Sequence, residues 1–187
     1  MAFVYRSLFY RRHWSQISKI VSVVSIVSIA LAGSYGMRNI INPNTVLIES
    51  EDLEAIEWLA NNTEPTAKIG VNAKRWLRNS YRGTDGGYWI SVLTKRWSIL
   101  PPALYPLAYA SNEAQEINTR LTNWTTISAD GPELLHQISR DNGITHLYIG
   151  AKGGHLDVYR LQTMPNSQLI YQNRGIYIFE LSETVPQ

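Results

Sequence analysis

The chain has 187 residues, enough for one ordinary domain and an additional short segment. Its 17 lysines and arginines against 15 acids leave a net charge of +2, too small a surplus to point to nucleic acid. The absence of cysteine excludes disulfides, thiolate catalysis and cysteine-ligated zinc, while six tryptophans and eleven tyrosines supply bulky side chains for a core.

Residues 1–19 read as a basic and aromatic leader, with Arg6, Arg11, Arg12 and Lys19 among Tyr5, Phe9, Tyr10 and Trp14. Between Lys19 and Arg38 lie 18 residues without a charge, IVSVVSIVSIALAGSYGM, which predict a membrane-spanning helix over 20–37. At about 1.5 Å per residue they reach roughly 27 Å, close to a hydrocarbon core of about 30 Å. Basic residues precede the run, and Glu49, Glu51, Asp52, Glu54 and Glu57 follow it. That asymmetry places the N-terminus in the cytoplasm and the rest of the chain outside it. The leader aromatics and Tyr35 fit the two interfacial belts. A buried core helix is disfavoured because nothing polar recurs at 3.6 residues. A secretory signal peptide is the stronger rival, with Ala30-Leu31-Ala32 as an A-x-A cleavage site, but the long aromatic leader favours an anchor. Ser22, Ser25, Ser28, Ala32, Gly33 and Gly36 are small enough to admit close approach of other membrane helices.

Residues 38–49, containing Asn42-Pro43-Asn44, form a linker to a domain over 50–183. Ser50 is expected to cap a helix over 51–61, with Leu53, Ile56, Leu59 and Ala60 as its core face. A short strand is expected over 67–71, then a glycine-rich turn over 83–87. Residues 88–93 are ambiguous between helix and strand, and 97–100 read as a strand stopped by Pro101-Pro102. Helices follow over 111–123 and 132–141, the second closed by Gly143. Residues 144–149 form a strand, and 169–172 with 176–181 alternate around Asn173-Arg174-Gly175 as a hairpin. The expected fold is therefore α/β, one N-terminal transmembrane helix followed by a small α/β sandwich with a C-terminal β-hairpin.

Little in the chain carries catalytic chemistry. His13, His136, His146 and His155 share no metal-ligand spacing, so no metal or cofactor is expected. Lys152-Gly153-Gly154-His155 lacks the spacing of a phosphate loop and reads as a surface turn. Asp85, within Thr84-Asp85-Gly86-Gly87, is the best candidate for a functional carboxylate, in an exposed turn near Arg82, Tyr88 and Trp89. Such a mixture suits carbohydrate contact, but aspartate and glycine also simply make turns. No second carboxylate lies nearby in sequence for paired acid–base work, which weakens a hydrolase working through Asp85 and a histidine. Asn61-Asn62-Thr63 and Asn123-Trp124-Thr125 are glycosylation sequons, a pattern common by chance.

Several motifs occur in a particular order. Glu54-Ala55-Ile56-Glu57-Trp58-Leu59 is followed by Asp85-Gly86-Gly87-Tyr88-Trp89-Ile90, Thr94-Lys95-Arg96 and Pro101-Pro102. Gly143-Ile144-Thr145-His146-Leu147-Tyr148-Ile149-Gly150 and Tyr171-Gln172-Asn173-Arg174-Gly175-Ile176-Tyr177-Ile178 complete the series. From Asp52 onward the chain resembles the extracytoplasmic C-terminal tail of bacterial multi-spanning GT-C-type glycosyltransferases, relatives of dolichyl-phosphate-mannose mannosyltransferases and oligosaccharyltransferases. The resemblance implies a tail domain, non-catalytic alone, that serves acceptor or partner binding in envelope glycan or lipid-linked sugar transfer. Its partners would be the lipid bilayer and other membrane helices or a multi-spanning glycosyltransferase subunit. Family enzymes keep their catalytic acid in an early loop among many membrane helices, so no catalytic residue carries over. The alternative is a secreted or periplasmic binding module released after Ala32.

Overall fold

The computed structural model describes residues 16–37, 45–77, 80–130 and 132–182. The expectations for leader residues 1–15 and linker residues 38–44 lie outside them. The chain divides into two compact units, Met1–Thr45 and Val46–Gln187.

In the first unit, α1 (Gln16–Met37) is one continuous apolar helix, longer than the uncharged run because a turn containing Lys19 joins its start. Its best window has a mean hydropathy of 1.9, and none of its residues is buried. This removes the core-helix reading: a core helix buries its apolar side chains against protein. Ser22 donates its hydroxyl to the Ser18 carbonyl at 2.9 Å, so this polar group is satisfied within the helix.

The second unit is mixed α/β. Its elements are α2 (Ser50–Asn62), β1 (Lys68–Val71), β2 (Ala73–Trp76), β3 (Ser80–Gly83), a 3-10 turn (Gly86–Trp89), α3 (Ile90–Thr94), β4 (Trp97–Ser98), α4 (Tyr105–Ala108), α5 (Ser111–Asp130), α6 (Pro132–Asn142), β5 (His146–Ile149), α7 (Val158–Thr163), β6 (Ser167–Asn173) and β7 (Ile176–Leu181). The main sheet runs β4-β1-β5-β7-β6. Strands β4, β1 and β5 are parallel, whereas β7 is antiparallel to both β5 and β6. Val71 pairs with Tyr148 and Gly70 with Leu147, so alternate pairs face opposite sides of the sheet. On one side Tyr148 meets α2 through Asp52, and Trp58 of α2 stacks on Tyr171 of β6 at 4.9 Å. On the other, Gly70 leaves room for the Trp124 ring of α5, whose indole N–H donates to the Val71 carbonyl at 2.8 Å. Helices thus cover both faces, as the sandwich expectation required.

Several expectations change in detail. The cap of α2 is Glu49, not Ser50, in a capping box: the Glu49 side chain accepts from the Asp52 backbone while Asp52 Oδ2 accepts from Glu49 N–H at 2.9 Å. Strands β2 and β3 pair antiparallel, Ala73 opposite Gly83 and Trp76 opposite Ser80, a pairing the sequence reading did not assign. Residues 88–93 are helical. Only Trp97–Ser98 of the expected 97–100 strand pairs, and α5 continues to Asp130. The C-terminal hairpin turns on Arg174 and Gly175, both at positive φ, a two-residue turn that matches strand twist.

Candidate functional site

Strand β1 has its sheet neighbours on opposite sides, β4 and β5, so the chain changes direction there. In open α/β sheets ligands bind beyond the carboxyl ends of such strands. Here that position is filled by the protein itself. After β1 the chain leaves through Asn72 into the β2–β3 pair and returns at Asp85. The Asp85 carboxylate accepts from Asn72 Nδ2 at 2.8 Å, Gly150 N–H at 2.9 Å and Gly87 N–H at 3.0 Å. Asn72 Oδ1 in turn accepts from Leu156 N–H at 2.9 Å. One carboxylate therefore ties the ends of β1 and β5 to the turn that follows β3.

Asp85 is fully buried, which corrects the expectation of an exposed turn. The carboxylate that sequence spacing did not supply is Asp52, 96 residues before Tyr148, whose hydroxyl donates to Asp52 Oδ1 at 2.7 Å. The two acids meet across glycines. A Cβ at Gly150 would lie 2.7 Å from Asp52 Oδ1 and 2.8 Å from Asp85 Cβ, and one at Gly86 would overlap Asp52 Cγ. Burial pushes Asp85 up to about 6, opposed by its three donors and reinforced by the Asp52 charge. Burial also raises Tyr148, with Asp52 adding to the effect. His155 packs edge-on to Trp124 at 5.7 Å and accepts at Nδ1 from Ala73 N–H at 3.3 Å, and burial lowers it to about 4. Its Nε2 is buried without a partner. A buried acid of raised pKa beside a second carboxylate resembles acid–base machinery, but both side chains are buried and hydrogen-bonded to the protein.

The other predicted contacts are not gathered around Asp85. Arg82 lies over the Trp76 ring, 5.8 Å from its centroid, and its Nε is buried without a partner. The Tyr88 hydroxyl accepts from Ala103 N–H at 2.9 Å. Trp89 faces outward. In the 152–155 turn, Lys152 donates to the Val46 carbonyl, Gly153 O accepts from Thr84 at 2.7 Å, and Gly154 lies against Asn72. That segment is stitching for the domain rather than a phosphate cradle. No group of three metal-ligating side chains exists among the described residues.

An open polar surface lies elsewhere, in a cleft of about 580 Å³ between α5 and α6. Its lining includes Asn112, Gln115, Asn123 and Asn142 with Glu116, Asp141 and Arg120. The Arg120 guanidinium sits 5.9 Å from the centroid of half-exposed Trp97, and its Nε has no hydrogen-bond partner. Lys68 bridges the same ring, at 5.5 Å, and the Asn142 carbonyl, at 3.5 Å. Amides, acids and a guanidinium beside an indole offer donors and acceptors to hydroxyl-rich molecules. Sequence reading passed over the cleft because its residues come from two separate helices, each carrying ordinary surface side chains. Compared with known proteins, no family model matches this chain and no curated protein matches it.

Proposed function

We propose that this is a membrane-anchored extracytoplasmic domain, non-catalytic alone, that serves acceptor or partner binding in envelope glycan or lipid-linked sugar transfer. The carrying observation is the commitment of Asp85: the best candidate acid is buried and spends its oxygens on Asn72, Gly87 and Gly150. A domain whose acids hold its own loops together offers binding rather than bond cleavage. The apolar helix α1, with no buried residue, supports the anchor, and the amide-lined α5–α6 cleft supports contact with a polar acceptor. The positive leader and the acids beyond residue 48 support an N-terminus in the cytoplasm.

The test is reconstitution of the full chain in proteoliposomes with a polyprenyl-phosphate sugar and candidate acceptors. No transfer above empty liposomes is expected. Transfer at a rate proportional to the amount of chain would overturn the non-catalytic reading.

A further inference from the structure

Residues 86–112 contain no acidic side chain and only two basic ones, Lys95 and Arg96. Arg96 is used internally, donating to the carbonyls of Ala60, Thr63 and Glu64, which leaves Lys95 exposed. The short helices of this stretch each turn one large side chain inward, Ile90 in α3 and Tyr105 in α4. Other apolar residues of these helices and of the positions flanking them face out: Leu107 is 85% exposed, Val92 64%, Leu104 60% and Leu93 50%, with Trp89 and Tyr109 also exposed. The bond from Ala103 N–H to the Tyr88 hydroxyl ties the turn leading into α3 to the start of α4.

Single exposed leucines are ordinary, but a run of them on two short helices marks an interaction surface. We infer that this face lies against the bilayer, with Leu107, Val92, Leu104 and Leu93 in the boundary between headgroups and acyl chains. Trp89 and Tyr109 take the interfacial level that aromatic side chains prefer, and Lys95 meets anionic headgroups. Three observations favour lipid over a protein occupant. The stretch carries no acid to be repelled by lipid phosphates, its fringe is aromatic and cationic, and the chain carries its own candidate span. The inference rests on α1 being a span.

The chain has no cysteine, so single labelling sites can be introduced cleanly. Spin labels at Leu107→Cys, Val92→Cys, Val27→Cys in α1 and Gln162→Cys in α7 would be placed in the full chain. This would then be reconstituted in nanodiscs of mixed phosphatidylcholine and phosphatidylglycerol. Power saturation compares relaxation by oxygen, which partitions into lipid, with relaxation by a water-soluble nickel chelate. The oxygen-to-nickel ratio is expected to be severalfold higher at 107 and 92 than at 162. A lipid-like ratio at 27 with water-like ratios at 107 and 92 overturns the lipid face and leaves the span standing. Water-like ratios at all four sites overturn both readings. Spin–spin broadening at 107 with water-like accessibility assigns the face to a second copy and also overturns it.

Discussion

Asp85 and His155 are joined through Asn72 and the Leu156 backbone, and they respond to protons in opposite directions. The folded domain holds a proton on Asp85 more tightly than the unfolded chain does. Its linked stability is therefore present near pH 4 and lost as pH rises through about 6. His155 is held neutral, so its contribution is present above about 6.5 and lost as pH falls toward about 4. At about 1.4 kcal/mol per pKa unit each is worth a few kcal/mol, and over this window they act in opposite directions. Urea denaturation of the detergent-solubilised chain between pH 4 and 6.5 separates them. His155→Phe should become more stable on acidification, and Asp85→Asn less so; parallel pH profiles in the two variants would contradict this account. Asp85→Asn should also be destabilised by about 2–4 kcal/mol at neutral pH, because its amide N–H₂ would face donors. Gly150→Ala drives a methyl into both acids, and a loss of about 1–3 kcal/mol is expected in the same experiment.

At the scale of elements, Arg96 joins the start of β4 to the end of α2 by donating to three carbonyls at 2.6–3.2 Å. Arg96→Met keeps the length of the side chain but strands those acceptors. A drop of about 2–4 kcal/mol is expected in thermal or urea melts, while Lys95→Met, at an exposed neighbour, should cost little. The elements visible in sequence were those with a clean period or punctuation: α2, although its buried face is Asp52, Ala55, Ile56 and Leu59 and the expected Leu53 faces out, α6 closed at Gly143, and the β6–β7 hairpin around Arg174-Gly175. The β2–β3 pair was hidden because Lys74 and Arg75 are both exposed and break the two-residue alternation. Residues 88–93 were ambiguous because Ile90 points in while Val92 and Leu93 point out, a pattern set by the surface rather than by a core. For the site, the sequence reading singled out Asp85 but placed it in an exposed turn, whereas it is buried. Its burial could not be read from sequence, since Asn72, Gly150 and Asp52 reach it only through the sheet's topology.

The whole molecule has an apolar helix with no buried residue and a domain whose two buried acids are hydrogen-bonded within it and whose polar cleft is open. Composition made the helix legible, and Tyr148, Trp124 and Phe179 in the core show where the aromatic wealth is spent. The most direct test of the anchored, extracytoplasmic reading uses Tyr159→Cys, an exposed position on α7. A bacterial host expressing the full chain would be treated, while intact, with a membrane-impermeant maleimide, and the carbonate-washed membranes analysed by mass. The account predicts a full-length labelled chain retained in those membranes. Labelling only after lysis would contradict the orientation, and a labelled chain released into the soluble fraction and beginning at Gly33 would contradict the anchor.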